Sequence, residues 1–243
     1  MTETTPARSV LRTGRPLDDA GDPTDGPALE LAPDGRAATL LRESPRPLAS
    51  SPGQGTWATL LERPEEGDTD RPVLVQWLAA DASQPPPHTH PTTETFEAVT
   101  GELTVVRDGD THVLAPGESV TVEPGTEHAF RNDTDGTVAF RARLPSMRTA
   151  RALYSVWGMD HEGVFGSGPP GSDERYGEPG LLHGLLLAES LRGETTMTDA
   201  PLPVQRVLWA TVGRVARIAG YRGVDERYLE DAFWERRVEQ PDL

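Results

Sequence analysis

Two short stretches of the sequence concentrate the groups able to hold a metal ion. The first is His88-Thr89-His90-Pro91-Thr92-Thr93-Glu94, followed by Gly101. The second is Gly117, then Glu123-Pro124-Gly125-Thr126-Glu127-His128, then Asn132. Three of the six histidines lie in these stretches, as does the only asparagine of the chain. On a β-strand the side-chain period is two, so His88 and His90 share a face. Glu94 follows a short turn and opens the next strand, where a hairpin can set its carboxylate beside both imidazoles. His128 arrives from a later strand, just after a Pro-Gly turn. Three neutral imidazoles and one carboxylate suit a borderline divalent ion such as Fe, Mn, Ni, Co or Zn. In an octahedral shell, four protein donors leave two positions for substrate, water or O₂. An isolated His-x-His is a weak signal, whereas both spacings together, with a fourth donor and the terminal Asn, are a strong one. The competing reading is a fold that kept these residues without the metal.

The elements that must position these groups are legible as short strands separated by turn residues, from Thr56 to Leu144. Strands are expected at Trp57–Leu61, Val73–Leu78, Thr95–Val99, Leu103–Val106, His112–Leu114, Ser119–Val122, Ala129–Arg131 and Val138–Arg143. Asp108-Gly109-Asp110 and Asp133-Thr134-Asp135-Gly136 read as hairpin turns. Such spacing predicts an all-β sandwich or small barrel. Strict alternation places Phe96, Ala98 and Thr100 on the face of Glu94, Phe130 on that of His128, and turns Glu97 away. Phe130 and Trp77 read as core packing before substrate wall. After Pro145 the period becomes helical. One helix is expected around Met147–Trp157 with Ser146 as N-cap, a second at Leu181–Leu191, and a third at Pro203–Ala219. In the third, Val204, Val207, Leu208, Val212, Val215 and Ile218 form one apolar face beside a stripe of Arg206, Arg214 and Arg217. Before the strands, residues 1–53 hold eight of the 23 prolines. Residues 1–27 are expected to be disordered, with a possible hairpin of Leu29–Leu31 and Ala37–Leu41 around Pro33-Asp34-Gly35.

The two stretches resemble the motifs of the cupin family, G-x5-H-x-H-x(3,4)-E-x6-G and G-x5-P-x-G-x2-H-x3-N. The first is met at His88, His90, Glu94 and Gly101, the second at Gly117, Gly125, His128 and Asn132. Ala82 stands where the first motif has Gly, and Glu123 where the second has Pro, both at turn positions that hold no metal. The resemblance implies that His88, His90, Glu94 and His128 are ligands of a divalent metal ion (Fe, Mn, Ni or Zn). It also implies a mainly β, cupin-type jelly-roll β-barrel over residues 28–144. Residues 145–243 then form a helical extension packing on the barrel or on a dimer partner. The stretch Val204 to Arg222 is similar to the tail of many single-cupin proteins. By the same resemblance, the chain acts on a small organic molecule by dioxygenase- or isomerase-like chemistry, or binds or senses one without turnover. Family habit suggests a homodimer. No separate catalytic acid or base is identified.

Composition narrows the alternatives. The 243 residues suffice for one sizeable domain or two small ones. With no cysteine, thiolate zinc sites, Fe–S clusters, disulfides and cysteine nucleophiles are excluded. The net charge of -16 argues against nucleic acid and anionic membrane as partners. All 23 basic residues are Arg, a pattern of salt-adapted or high-GC sources. The longest charge-free apolar stretch, Leu181 to Ala188, is far below the ~20 residues of a spanning helix. No signal-like apolar run lies between Met1 and Pro16, so a cytoplasmic location is expected. Gly166-Ser167-Gly168-Pro169-Pro170-Gly171 matches G-x-G-x-x-G, but no strand leads in and no helix follows, so no dinucleotide cofactor is expected. His161-Glu162 begins like a zinc-protease helix, but Phe165 occupies the second His position. His183 among leucines reads as a core residue.

Overall fold

In the computed structural model of the chain, residues 10–64, 71–167 and 173–242 are described. Strand β1 (Leu11–Thr13) pairs antiparallel with β2 (Leu29–Leu31), and helix α1 (Arg36–Glu43) follows. Next come β3 (Ala49–Ser51), β4 (Thr56–Glu62), β5 (Val73–Leu78), β6 (His88–Thr89), β7 (Glu94–Thr100), β8 (Leu103–Arg107), β9 (Asp110–Leu114), β10 (Ser119–Val122), β11 (His128–Arg131) and β12 (Val138–Arg143). The extension comprises α2 (Met147–His161), α3 (Leu181–Ser190), β13 (Thr196–Met197), α4 (Leu202–Ala210), α5 (Val212–Ile218) and α6 (Asp231–Glu235). One sheet runs β10-β7-β12-β5-β4-β3 and the other β13-β6-β11-β8-β9, with antiparallel pairing throughout. The fold is a jelly-roll β architecture with a helical extension. The expected closure into a barrel is not seen: the sheets face each other and stay separate, each with its own edge strands.

The six-stranded sheet is covered on both faces, which is why β5 reads as a nearly continuous apolar run rather than an alternating one. Leu74, Leu78, Phe96 and Phe140 face the second sheet, where they meet Leu103, Val105 and Phe130. Val75, Trp77, Val99 and Ala139 face the opposite way, onto Leu29, Leu31 and the buried side of α1. Trp77 therefore packs outside the space between the sheets. The expected hairpin partner Ala37–Leu41 is helical: Ala37, Ala38, Leu40 and Leu41 are buried at helical spacing on one side of α1.

The segment expected to be disordered divides in two. Residues 1–9 lie outside the described residues. From residue 10 onward the chain is folded, because the C-terminal tail pairs with it. Gly14 and Arg15 exchange backbone hydrogen bonds with Glu239, and the Arg15 guanidinium grips the Glu239 carboxylate at 2.7 and 2.8 Å. Gln240 brackets Leu48 through both its backbone N–H and its carbonyl. These contacts span more than 190 residues of sequence, so no local pattern announces them.

The extension is built onto the sheets. Ser146 caps α2 by accepting from the Arg148 N–H at 2.9 Å. At the other end of α2, Asp160 accepts from Ser51 Oγ, Gly53 N and Gly177 N, while His161 Nε2 meets Ser50 Oγ at 2.9 Å. Burial, with the charges of Arg237 and Arg175, lowers the His161 pKa from 6.5 to about 3. Between these values the unfolded chain takes up a proton that the folded one refuses, so stability falls as pH drops through that window. At ~1.4 kcal/mol per unit, the loss attributable to His161 is roughly 2 kcal/mol between pH 8 and pH 5. Urea unfolding of wild type and His161→Gln at both pH values checks this. The variant should lose less stability on acidification. Asp160, whose carboxyl is pushed up by burial, is present in both proteins and drops out of the difference.

The third expected helix is two helices, α4 and α5, with the chain turning at Thr211, whose hydroxyl donates back to Val207 O at 2.7 Å. Of the two packings expected for the extension, on the sheets or on a dimer partner, its apolar face does not take the first. Val215 is 66% and Ile218 88% exposed, while Gln205, Trp209, Gly213 and Ala216 face inward. Gln205 is anchored by donating to Met197 O and Ala200 O, both at 2.7 Å. No helix among the described residues is long and apolar enough to cross a membrane.

Candidate metal centre

His88 and His128 sit directly opposite each other on β6 and β11, and Glu94 is the first residue of β7. The turn before β11 places Gly125 at φ 80, a left-handed conformation suited to glycine, and its N–H donates to His90 O at 2.6 Å. That single bond ties the second stretch to the first. The motif's Asn132 does not touch the histidines. Its amide donates to Leu78 O and Gly136 O and accepts from Thr134, fixing the turn between β11 and β12 against the end of β5.

One donor atom from each of His88, His90, Glu94 and His128 lies within 4.8 Å of the others, and all four residues are buried. Each imidazole is oriented from behind. His88 Nδ1 meets Pro86 O at 2.8 Å, and His128 Nδ1 meets Thr126 O at 3.0 Å. His90 Nδ1 lies 3.2 Å from Glu194 O and 3.1 Å from Thr195 Oγ1. A carbonyl can only accept, so each Nδ1 carries a proton; the Nε2 atoms of His88 and His90 are then left with lone pairs, while His128 Nε2, which donates to the Glu94 carboxylate, would give up its proton to a metal ion. His90 Nε2 is shielded from water and stands 3.4 Å from Glu94 Oε2, without a well-aligned hydrogen bond among the described residues. A buried polar atom left so is costly. A donor set of three such nitrogens and one carboxylate is one that can hold a divalent ion.

The electrostatics agree with this arrangement. Burial lowers His88 to about 4, keeping it neutral at pH 7. Burial alone would raise Glu94, but the bond from His128 Nε2 at 2.8 Å, with help from His90, holds its carboxyl down at about 2. Burial pulls His128 down, and the Glu94 carboxylate more than compensates, leaving its pKa raised. A full negative charge is thus stable at the centre of a buried site, where a cation would be welcomed.

His88, His90 and Glu94 line a cavity of about 420 Å³ between the two sheets and the extension, and His128 is bonded to Glu94. Phe96 and Phe130, placed on this face by alternation, do line it, and Phe130 belongs to wall and core together. Ala98 is core, and Glu97 points away to Arg36. His183 packs edge-on between Phe165 and Tyr221, and His112 lies in β9 away from the site. Of the rejected glycine motif, residues 168–171 lie outside the described residues.

Sequence reasoning missed how much of the site the extension supplies. β13 pairs with β6, so that Met197 faces His88, and Thr195 and Glu194 hold His90. Helix α3 lines part of the cavity with Leu181, Gly184, Leu185 and Ala188. The spacing of those four was visible as a helical stripe, although nothing marked the cavity as what it faces. Thr195 carried no signal at all.

Comparisons with known proteins bear on the sheets and not on the extension. Residues 75–142 match the family model described as a cupin domain, Cupin_2. No curated protein matches the chain. Among solved structures it is similar to the Cupin_2 domain of an XRE family transcriptional regulator from Enterobacter cloacae, at 27% identity over 37% of this chain and 94% of that one, TM-score 0.32. It is also similar to the polyketide cyclase RemF from Streptomyces resistomycificus, at 22% identity over 40% and 72% of the two chains, TM-score 0.35. A cupin-superfamily sugar phosphate isomerase from Silicibacter pomeroyi matches at 25% identity over 41% and 71%, TM-score 0.33.

Proposed function

We propose, for a chain whose residues 75–142 are a cupin domain, that His88, His90, Glu94 and His128 bind one divalent metal ion, and that the protein acts there on a small organic molecule. The observation that carries this reading is the convergence of three carbonyl-backed imidazoles and one carboxylate beside a largely apolar cavity. Such an ion, when bound, supplies Lewis-acid polarisation of an oxygen donor or a centre for redox chemistry, as in a dioxygenase or isomerase. The chain's own part is to hold the ligands and to exclude water. Pro86 O, Thr126 O and Glu194 O orient the imidazoles, and the apolar lining keeps the dielectric low. Beyond the four proposed ligands, the acidic groups on the lining are Glu178 and Asp199.

Metal content by elemental mass spectrometry, on protein purified without chelator, tests the reading. About one equivalent of Fe, Mn, Ni or Zn supports it, and no metal before or after titration overturns it. Thr195→Val removes a hydroxyl from behind His90 and should weaken metal binding by roughly 10-fold, since such supporting contacts are worth ~10–100-fold. A competition titration reads that change. A homodimer belongs to the same proposal, supported by the exposed apolar face of α4 and α5. A monomeric mass by light scattering overturns that part.

A further inference from the structure

The cavity's wall has a chemistry of its own. Its apolar part comes from both sheets, through Phe96, Phe130 and Phe140, and from the extension, through Trp157, Leu185 and Leu187. None of the described residues that line it is an arginine, and the chain has no lysine. The charged groups on the lining besides the histidine cluster are the carboxylates of Glu178 and Asp199. Apart from the ion proposed at the histidine cluster, the described lining supplies no cation, so an anionic group lying away from that ion would have like charges beside it and nothing to receive it, an arrangement that disfavours binding.

Polar capacity is present but neutral. Gln84 lines the cavity, and both its carboxamide atoms are shielded from water with no hydrogen-bond partner among the described residues. Gln76, on β5, projects into the same space, where its amide donates to Thr56 Oγ1 at 2.8 Å. A carboxamide offers two N–H donors and an accepting oxygen and fits a hydroxyl or carbonyl. The volume of about 420 Å³ lies in the ~300–1,000 Å³ range of small-molecule sites. At ~30 Å³ per water-sized group, that is room for on the order of a dozen heavy atoms.

We propose that the cavity is selective for an uncharged, largely apolar molecule bearing a hydroxyl or carbonyl, with Leu185 and Ala188 of α3 and the amide of Gln84 setting that preference. The inference rests on the proposed function for the role of the site but makes a separate demand on the ligand. Molecules that carry an anionic group away from the ion are the class it excludes. Selectivity comes from the extension as much as from the sheets, because α3 supplies the wall facing the aromatic rings.

A matched pair of probes tests it. 1-Naphthol and 1-naphthyl phosphate share one apolar body and differ in charge. Isothermal titration of the full chain in metal-free form, where no ion can draw the phosphate, should show 1-naphthol binding at least 30-fold tighter than its phosphate. Leu185→Arg places a cation in the wall and should weaken 1-naphthol by 10-fold or more while narrowing the gap to the phosphate. Leu185→Gln, a neutral change of similar size, guards against a folding failure and should weaken 1-naphthol by about 5-fold. Gln84→Leu should cost a similar 5-fold, the worth of one hydrogen bond. Equal or tighter binding of the phosphate overturns the proposal, as does 1-naphthol binding indifferent to every one of these changes. Metal uptake by the same proteins, titrated apart from the probes, separates the two readings. Selectivity without metal uptake overturns the metal site alone, and metal uptake without selectivity overturns this inference alone.

Discussion

His128→Ala is expected to lower the affinity for the proposed divalent ion by more than 100-fold and to abolish any metal-dependent rise in the unfolding temperature. Contacts that merely orient a ligand are worth ~10–100-fold, so loss of a ligand must exceed that range. A 100-fold loss corresponds to about 2.7 kcal/mol of binding free energy. The same free energy stabilises the folded chain when the ion is present, since the ion binds only the assembled site. In this protein the coupling is direct, because His88 and His128 are cross-strand partners on β6 and β11 and Glu94 sits on the other sheet. An ion held by all four ties the two separate sheets together at their common end. Metal content after dialysis, and thermal unfolding with and without added metal, read both effects. Glu94→Gln should behave similarly and adds a control, since it keeps the shape while removing the only negative charge in the group. Identical unfolding temperatures for wild type and both variants in saturating metal would dismiss the assignment.

Gly158→Ala is expected to destabilise the protein by about 3 kcal/mol or more, the upper end of what overpacking costs. Helix propensity alone points the opposite way, since replacing an interior helical glycine by alanine normally gains ~1 kcal/mol. In α2, however, a Cβ on residue 158 would stand 2.0 Å from Tyr228 Cδ1 and 2.4 Å from its Cγ. That ring cannot retreat. Tyr228 is fully buried, its hydroxyl donates to Glu162 at 2.7 Å, and its backbone carbonyl accepts from Trp234 Nε1 at 2.7 Å. Against a total stability of ~5–15 kcal/mol, such a loss is large. Urea unfolding of the purified variant measures it. An unchanged or raised midpoint would show that the segment around Tyr228 docks less tightly than these contacts require.

Some of the molecule follows from local residue patterns. The strands expected from Thr56 to Arg143 agree with observation within two residues at each end, because alternation and turn chemistry act over a few residues, whereas the two-residue β6 was not among them. The grouping of His88, His90, Glu94 and His128 was legible for a similar reason: period two on one strand, a short turn, and a Pro-Gly turn before another strand. Helix α2 announced itself by its period and by Ser146. Cysteine-based chemistry was excluded by composition outright.

What only the tertiary structure decided depends on residues far apart in the chain. Local pattern marked Val204 to Ile218 as one apolar face without telling whether the sheets or a partner would cover it. Packing instead buried Gln205 and Gly213, because Gln205 can anchor β13 and the small Gly213 admits α3. The N-terminal segment looked too poor in apolar residues to fold, yet Glu239 and Gln240 hold it through backbone and side-chain bonds that hydropathy does not register. Trp77 and Gln76 are neighbours in sequence and end on opposite faces of a sheet covered on both sides, so neither apolarity nor polarity told which one met the cavity. Thr195 meets His90 across 105 positions. A short-range pattern specifies which faces want to be covered, but the free energy of covering them belongs to the whole chain, and that choice determines what encloses the site.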